Sequence, residues 1–243
     1  MRYAILSDIH ANLAALEAVL DDLRERRIDE LWCLGDIVGY GPYPNECTEL
    51  LRSYRHSCVV GNHDWGSTGK ISISEFNRDA ADACQWTGSV LTAGNFDYLQ
   101  ALPEVVERDG FTMAHGSPRY PIWEYIMNSE EARENLPYFK TPFCLVGHTH
   151  IPLVFHQGKR RVPVFRHLDD GEEIALSEGR YIINPGSVGQ PRDSDPRGSY
   201  AIYDAEEKRV TLYRIPYDIA ETQQRMREEG LPRFLIERLS QGI

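Results

Sequence analysis

Asp8-Ile9-His10, Gly35-Asp36, Gly61-Asn62-His63-Asp64, His115-Gly116 and Gly147-His148-Thr149-His150 share one setting: each closes an apolar, strand-like run. Carboxylate, carboxamide and imidazole groups are ligands for a hard or borderline divalent ion. Neutral imidazoles that converge on one point suit such an ion as well. No thiolate stands among them, which leaves Mn²⁺, Fe or Zn²⁺ as the cation. Two divalent ions held between Asp8 and Asp36 would leave a net charge of about +2, enough to attract a phosphate. Metals ~3.5–4 Å apart can grip two phosphate oxygens and carry a water whose pKa falls toward ~7. That hydroxide attacks phosphorus in line, so the lack of a Ser/His/Asp or Cys/His pattern leaves no gap in the chemistry.

The elements that must position these groups read from the amino terminus. Arg2–Asp8 is an apolar run ending in Ser-Asp. Residues 13–26 carry apolar side chains at 13, 16, 19, 20 and 23, a helical stripe with a basic end and Asn12 as its N-cap. Residues 30–36 form the next strand, so the β-α-β order predicts a parallel pair with a right-handed crossover. Pro44 opens a helix to about Tyr54, and Cys58–Val60 reads as a short buried strand. Residues 74–101 read as one long or broken helix despite Gly88 and Gly94. Residues 105–117 read as a hairpin turning at Asp109-Gly110. A short helix over 129–136 precedes Phe143–Val146, an unbroken apolar run expected to be covered on both faces. Period-two alternation would then point His148 and His150 the same way if the extended path continued. Beyond Pro152 come six shorter strands, then a helical tail over about 218–240 broken near Gly230-Leu231-Pro232. The whole, 1–243, reads as a single two-sheet unit flanked by helices, with ligand-type residues at the carboxyl ends of the strands, where α/β sheets bind ligands.

Composition narrows the classes of function. The chain has 243 residues, 42% hydrophobic and 26% charged, enough to bury a large core. No apolar stretch approaches the ~18 residues of a membrane span, and the start MRYAILSD is acidic too soon for a secretory signal. Five scattered cysteines without C-x-x-C spacing argue for a reducing cytoplasm rather than a disulfide framework. Lys and Arg number 26 against 37 Asp and Glu, a net charge of −11. Such a chain is a poor general binder of nucleic acid, though a bound metal pair would still attract a small phosphorylated substrate.

At this composition G-N-H-D and G-H-T-H are each expected by chance on the order of 10⁻³ times. The order D-x-H, G-D, G-N-H-D, H-G, G-H-T-H resembles the calcineurin-like metallophosphoesterase family over residues 3–150. INPGSVGQPR at 183–192 resembles a later segment of its small prokaryotic branch. The resemblance implies a four-layer α/β/β/α sandwich with two mixed sheets and two metals at the sheet edge. It implies that Asp8, His10 and His150 hold one metal, that Asn62, His115 and His148 hold the other, and that Asp36 bridges. His63 is then the non-ligand imidazole that protonates the leaving oxygen, and Asp64 would orient or charge it.

One departure from the family pattern concerns the substrate. Members that act on phosphoproteins carry Arg directly before G-N-H, where this chain has Val60. Arg119, Arg192 and Arg197 stand in loops, and Arg119 or Arg192 is the expected phosphate grip. The expectation is therefore a dinuclear phosphoesterase acting on a small phosphodiester. A phosphomonoesterase, a dinucleoside polyphosphate hydrolase and a non-catalytic metal-binding scaffold of the same fold are the alternatives.

Overall fold

A computed structural model describes residues 1–159 and 162–243. The strands are β1 (Arg2–Leu6), β2 (Glu30–Cys33), β3 (His56–Cys58), β4 (Val105–Arg108), β5 (Phe111–Ala114), β6 (Phe143–Leu145), β7 (Pro152–Gln157), β8 (Val164–His167), β9 (Glu173–Ala175), β10 (Arg180–Pro185), β11 (Gly198–Asp204) and β12 (Arg209–Ile215). The helices are α1 (Leu13–Arg24), α2 (Pro44–Arg52), α3 (Asn62–Ser67), α4 (Arg78–Val90), α5 (Ala93–Ala101), α6 (Ser129–Asn135), α7 (Ile219–Glu228) and α8 (Arg233–Arg238).

The strands form two six-stranded mixed sheets, β3-β2-β1-β11-β12-β9 and β4-β5-β6-β10-β7-β8. β1, β2 and β3 run parallel, as the β-α-β reading requires. β5, β6 and β10 are parallel in the other sheet. Alternation along β1 sends Tyr3 and Ile5 between the sheets, where they meet Trp32, Phe111, Met113, Leu145 and Ile183. Ala4 and Leu6 face outward into a core with Leu16, Val19 and Leu20 of α1 and Leu51 of α2. On the far side Cys144, Phe155 and Ile182 pack beneath Ala132 of α6. The result is the expected four-layer sandwich. Both faces of β1, β2 and β5 are covered, which is why residues 3–6, residues 31–33 and most of Phe111–Ala114 are apolar. Fully buried Trp32 spans the inter-sheet space. Its truncation to Ala would cost about 3–5 kcal/mol.

Local structure departs from the sequence expectations at three places. The strand expected at 58–60 lies at 56–58, because the Val60 amide leaves the ladder and donates to the Pro103 carbonyl at 2.9 Å. The helix expected over 74–101, long or broken, begins only at Arg78 and is the broken form, α4 and α5. It breaks at Leu91-Thr92, where Thr92 caps α5 and its own amide donates to Asn45 Oδ1. Gly88 and Gly94 lie inside α4 and α5 and break neither; a Cβ on Gly88 would stand 2.4 Å from the Ser67 carbonyl, so its bareness lets α3 approach. The third departure is at His148 and His150, whose φ values of 66° and 60° end the extended path. Asn12 caps α1 through the Ala15 amide, and Asp109-Gly110 turns the β4–β5 hairpin with both φ positive. All five cysteines are free and buried. No helix among the described residues is long and apolar enough to cross a membrane.

Candidate metal centre

The loops after β1, β2, β3, β5 and β6 meet at one edge of the sandwich. Left-handed backbone marks the place: Asp8 (φ 52°), His10 (50°), Asp36 (52°), His148 and His150 all adopt it. Such conformations cost about 1–3 kcal/mol each outside glycine and persist only where the surroundings over-determine them. Here the surroundings are backbone bonds. Asp8 N donates to the Gly35 carbonyl and His10 N to the Asp36 carbonyl, tying the first loop to the second. His148 N donates to Asp8 Oδ2 at 3.0 Å, tying the last loop to the first. Gly61 has to be glycine, because a Cβ there would lie 2.0 Å from Asp36 Oδ1.

Two groups of buried side chains result: Asp8, His10 and His150, and Asp36, His115 and His148. Within each, the ligand-type atoms lie within 4.8 Å of one another. Reversing the backbone twice between 148 and 150 sends the two imidazoles to different groups. The reading of both on one side of a continuing strand is thereby corrected. Asn62 Oδ1 joins the second group, 3.1 Å from His115 Nε2. Asp36 Oδ2 lies between the groups, 3.6 Å from His10 Nε2 and 3.3 Å from His115 Nε2.

The hydrogen bonds around the centre leave acceptors facing acceptors. His10 Nδ1 bonds the Val38 carbonyl, His115 Nδ1 that of Leu34 and His150 Nδ1 that of Gln190. A carbonyl only accepts, so each Nδ1 carries the proton and each Nε2 presents a lone pair. Yet His10 Nε2 and His150 Nε2 stand 3.1 Å apart, and His115 Nε2 stands 3.1 Å from His148 Nδ1. Asp8 Oδ1 and Asp36 Oδ2, the carboxylate oxygens turned toward these nitrogens, are buried without a hydrogen-bond partner. Lone pairs arranged this way repel one another unless a cation lies among them, so the residues present fit a metal pair. Titration behaviour agrees. Burial holds the His10 and His148 rings neutral, pushing both well below the usual imidazole value. Burial lowers His115 also, but Asp36 and Asp8 outweigh it and push this ring up to about 10, so that without a cation a proton on its Nε2 takes the cation's place beside Asp36. The field at that point calls for positive charge.

Asp36, Asn62, His148 and His150 line a cavity at the surface of the protein, and His63 lines it too. Its Nδ1 lies 3.3 Å from Cys84 Sγ on α4, and its ring sits between Tyr40 and Phe76 at centroid distances of 4.2 and 5.0 Å. The hydrogen bonds of Asp64 run elsewhere: Oδ2 accepts from the amides of Asp36 and Gly61, and Oδ1 from that of Val38. Expected to orient the His63 imidazole, Asp64 instead pins the two loops that carry Asp36 and Asn62. Burial and the charge of Asp36 push its carboxyl up to about 7 against those amides.

The two arginines separate. Arg192 lines the cavity, held through Nη2 by Gln190 Oε1 at 2.9 Å and Tyr40 Oη at 3.4 Å, while its Nε is buried and unpaired. Arg119 is spent on Glu124 and Glu134 and is not among the cavity's lining residues. Arg197 pairs with Asp195 and Asp170. Sequence reasoning missed Cys84 and the aromatic rings at 40, 76, 123 and 125. Only the G-D and G-N-H-D contexts of Asp36 and His63 could have directed attention toward Tyr40; nothing local marks the others.

Residues 1–208 match the family model described as the calcineurin-like phosphoesterase superfamily domain. The chain is 52% identical to a metallophosphoesterase from Sphaerobacter thermophilus. The crystal structure of that protein covers 100% of this chain and 99% of its own, with a TM-score of 0.90. An uncharacterized protein of Methanocaldococcus jannaschii is 40% identical over 98% of this chain and 97% of its own length. A symmetrical bis(5′-nucleosyl)-tetraphosphatase of Pseudomonas putida is 31% identical over 150 residues, 55% of this chain and 49% of that protein.

Proposed function

Since this chain belongs to the calcineurin-like phosphoesterase superfamily and is a hydrolase acting on phosphate esters, we propose that it cleaves a small phosphodiester with two divalent cations, Mn²⁺, Fe or Zn²⁺. The observation that carries this reading is Asp36 Oδ2: buried, unpaired, and within 3.6 Å of an imidazole from each group. Asp8, His10 and His150 would hold one cation; Asn62, His115 and His148 would hold the other, with Asp36 shared. When bound, the pair would supply Lewis-acid charge to the phosphate and a water of lowered pKa as nucleophile.

The remaining steps belong to the chain's own groups. Arg192, braced by Tyr40 and Gln190, offers its guanidinium to the phosphate oxygens as it enters. Burial pushes the Cys84 thiol up to about 12, so its S–H is intact and can donate to His63 Nδ1. Burial also pushes His63 down to about 4, which keeps the ring neutral at pH 7. A neutral ring accepting at Nδ1 carries its proton on Nε2, and that N–H can hydrogen-bond the departing oxygen as negative charge builds on it, without transferring the proton. Val60 stands where family members that act on phosphoproteins carry an arginine, which favours a small substrate.

The test is hydrolysis of bis-p-nitrophenyl phosphate by metal-stripped protein with Mn²⁺ returned. Activity should appear with the ion and vanish with chelator; activity indifferent to exhaustive chelation would remove the metal reading. A second reading, cleavage of a dinucleoside polyphosphate, is favoured by the likeness to the Pseudomonas putida tetraphosphatase. It predicts ADP as the product from diadenosine tetraphosphate, faster than nitrophenol release from the diester.

A further inference from the structure

The cavity is lined by two kinds of surface. One is the ligand set with Arg192. The other is a run of aromatic rings leading outward from His63 to solvent: His63 to Phe76 at 5.0 Å, then Phe76 to Trp123 at 5.4 Å, both edge-to-face. Tyr125 lies flat on His148, centroids 4.0 Å apart and planes within 12°. These rings line the same cavity as Asp36 and His150. Trp123 and Tyr125 are nevertheless 38% and 44% exposed, so neither is fully used in packing the fold.

The loop that presents them is braced from behind. Glu124, between the two rings in sequence, points the opposite way and accepts from Arg119, Ser117 Oγ and Asn135 Nδ2. Glu124 is anchored away from the cavity, the turn at 120–123 is closed by the Trp123 and Glu124 amides on the Tyr120 carbonyl, and Trp123 and Tyr125 both line the cavity. Rings held in place this way lose little further freedom when a planar group stacks on them. The charge lining the cavity is divided as well. Arg192 is partly buried beside the ligand set, whereas Glu75, next to Phe76, is exposed at the mouth. A carboxylate at the mouth repels a second phosphate there and accepts hydrogen bonds from amino or hydroxyl donors.

We propose that Trp123 and Phe76, with Glu75, form a nucleoside subsite, so that the substrate is a phosphate ester of a nucleoside whose base stacks on Trp123 while its phosphate meets Arg192. This rests on the phosphoesterase reading and adds the substrate's organic half. A base stacked on an aromatic side chain is worth roughly 5- to 150-fold in affinity. A bare phenyl ring would stack but could not use Glu75.

The experiment measures the calorimetric affinities of AMP, ribose 5-phosphate and phenyl phosphate for Mn²⁺-loaded protein, wild type, Trp123→Ala and Trp123→Phe. Wild type should bind AMP at least about fivefold tighter than either other ligand. Trp123→Ala should erase that preference without weakening ribose 5-phosphate, and Trp123→Phe should restore most of it. Glu75→Gln should lower AMP affinity alone. Equal affinity for AMP and ribose 5-phosphate in wild type overturns the subsite. So does equal loss of both in Trp123→Ala, no detectable AMP binding, or phenyl phosphate matching AMP. Hydrolysis of bis-p-nitrophenyl phosphate by the same preparations reports separately on the phosphoesterase reading, which can stand while the nucleoside subsite falls.

Discussion

Cys84 Sγ and His63 Nδ1 lie 3.3 Å apart, joining the second turn of α4 to the loop that carries Asn62. This contact is the one side-chain hydrogen bond of the imidazole among the described residues, and in the proposed mechanism the thiol, which burial keeps protonated, donates to Nδ1. Cys84→Ser should keep the bond and most of the rate. Cys84→Ala should fold, retain both metals and lose about fivefold in kcat, in keeping with one neutral hydrogen bond of ~1 kcal/mol. Rates of the two variants on one ester decide it; equal rates would leave Cys84 a packing residue.

His63 itself should matter more. His63→Ala should retain metal by elemental analysis and lose rate by roughly 10²–10³, the worth of one donor to developing negative charge. The loss should be largest for esters with poor leaving groups and smallest for p-nitrophenyl esters, whose oxygen departs readily as an anion. Loss of metal would make His63 a ligand, and equal losses across leaving groups would make it an orienting group.

Asp36→Asn removes the shared charge while preserving shape. At least one equivalent of metal should be lost from the purified protein. Two full equivalents in that variant would rule out the bridging role.

Arg192→Ala should raise KM more than it lowers kcat, as a group gripping phosphate alike in ground and transition states does. Arg119 was expected to share this role but braces Glu124. Arg119→Ala should therefore act through the loop, with a small loss of stability, because its ion pairs with Glu124 and Glu134 are screened by solvent. Unchanged kinetics in Arg192→Ala would return that residue to the surface.

The brace should also be sensitive to acid. Burial raises the Glu124 carboxyl, but Arg119, Ser117 and Asn135 outweigh it and hold it below the ordinary value of 4.5. A lowered folded-state pKa means the bond network contributes fully above that ordinary value and is lost as pH falls through the folded one. Urea unfolding of wild type and Glu124→Gln should show a stability gap near pH 6 that closes toward pH 3. A gap that stays constant or widens in acid would contradict the network.

Much of the molecule was determined by the sequence alone, because the signals were local. Apolar runs of strand length, the Asn12 cap, Asp109-Gly110 and the parallel β-α-β order all act within a few residues, so the two-sheet sandwich was legible before any coordinates. So were Asp8, His10, Asp36, Asn62, His63, His115, His148 and His150. Each stands where a buried strand ends, and in a sheet covered on both faces that end is where polar groups can gather. What the tertiary structure alone decided depends on partners distant in sequence. His148 and His150 diverge because their loop bonds to Asp8, not because of anything in G-H-T-H. Asp64 turns to three amides from two loops, leaving His63 to a cysteine 21 residues away. Arg192 enters the cavity and Arg119 does not, although both stand in loops of similar polarity, because Glu124 and Glu134 claim one guanidinium and Tyr40 and Gln190 aim the other. The rings at 76 and 123 meet only because the segment before α4 and the 116–128 loop lie over the same edge. A linear pattern cannot encode that meeting, since it depends on how separate layers pack.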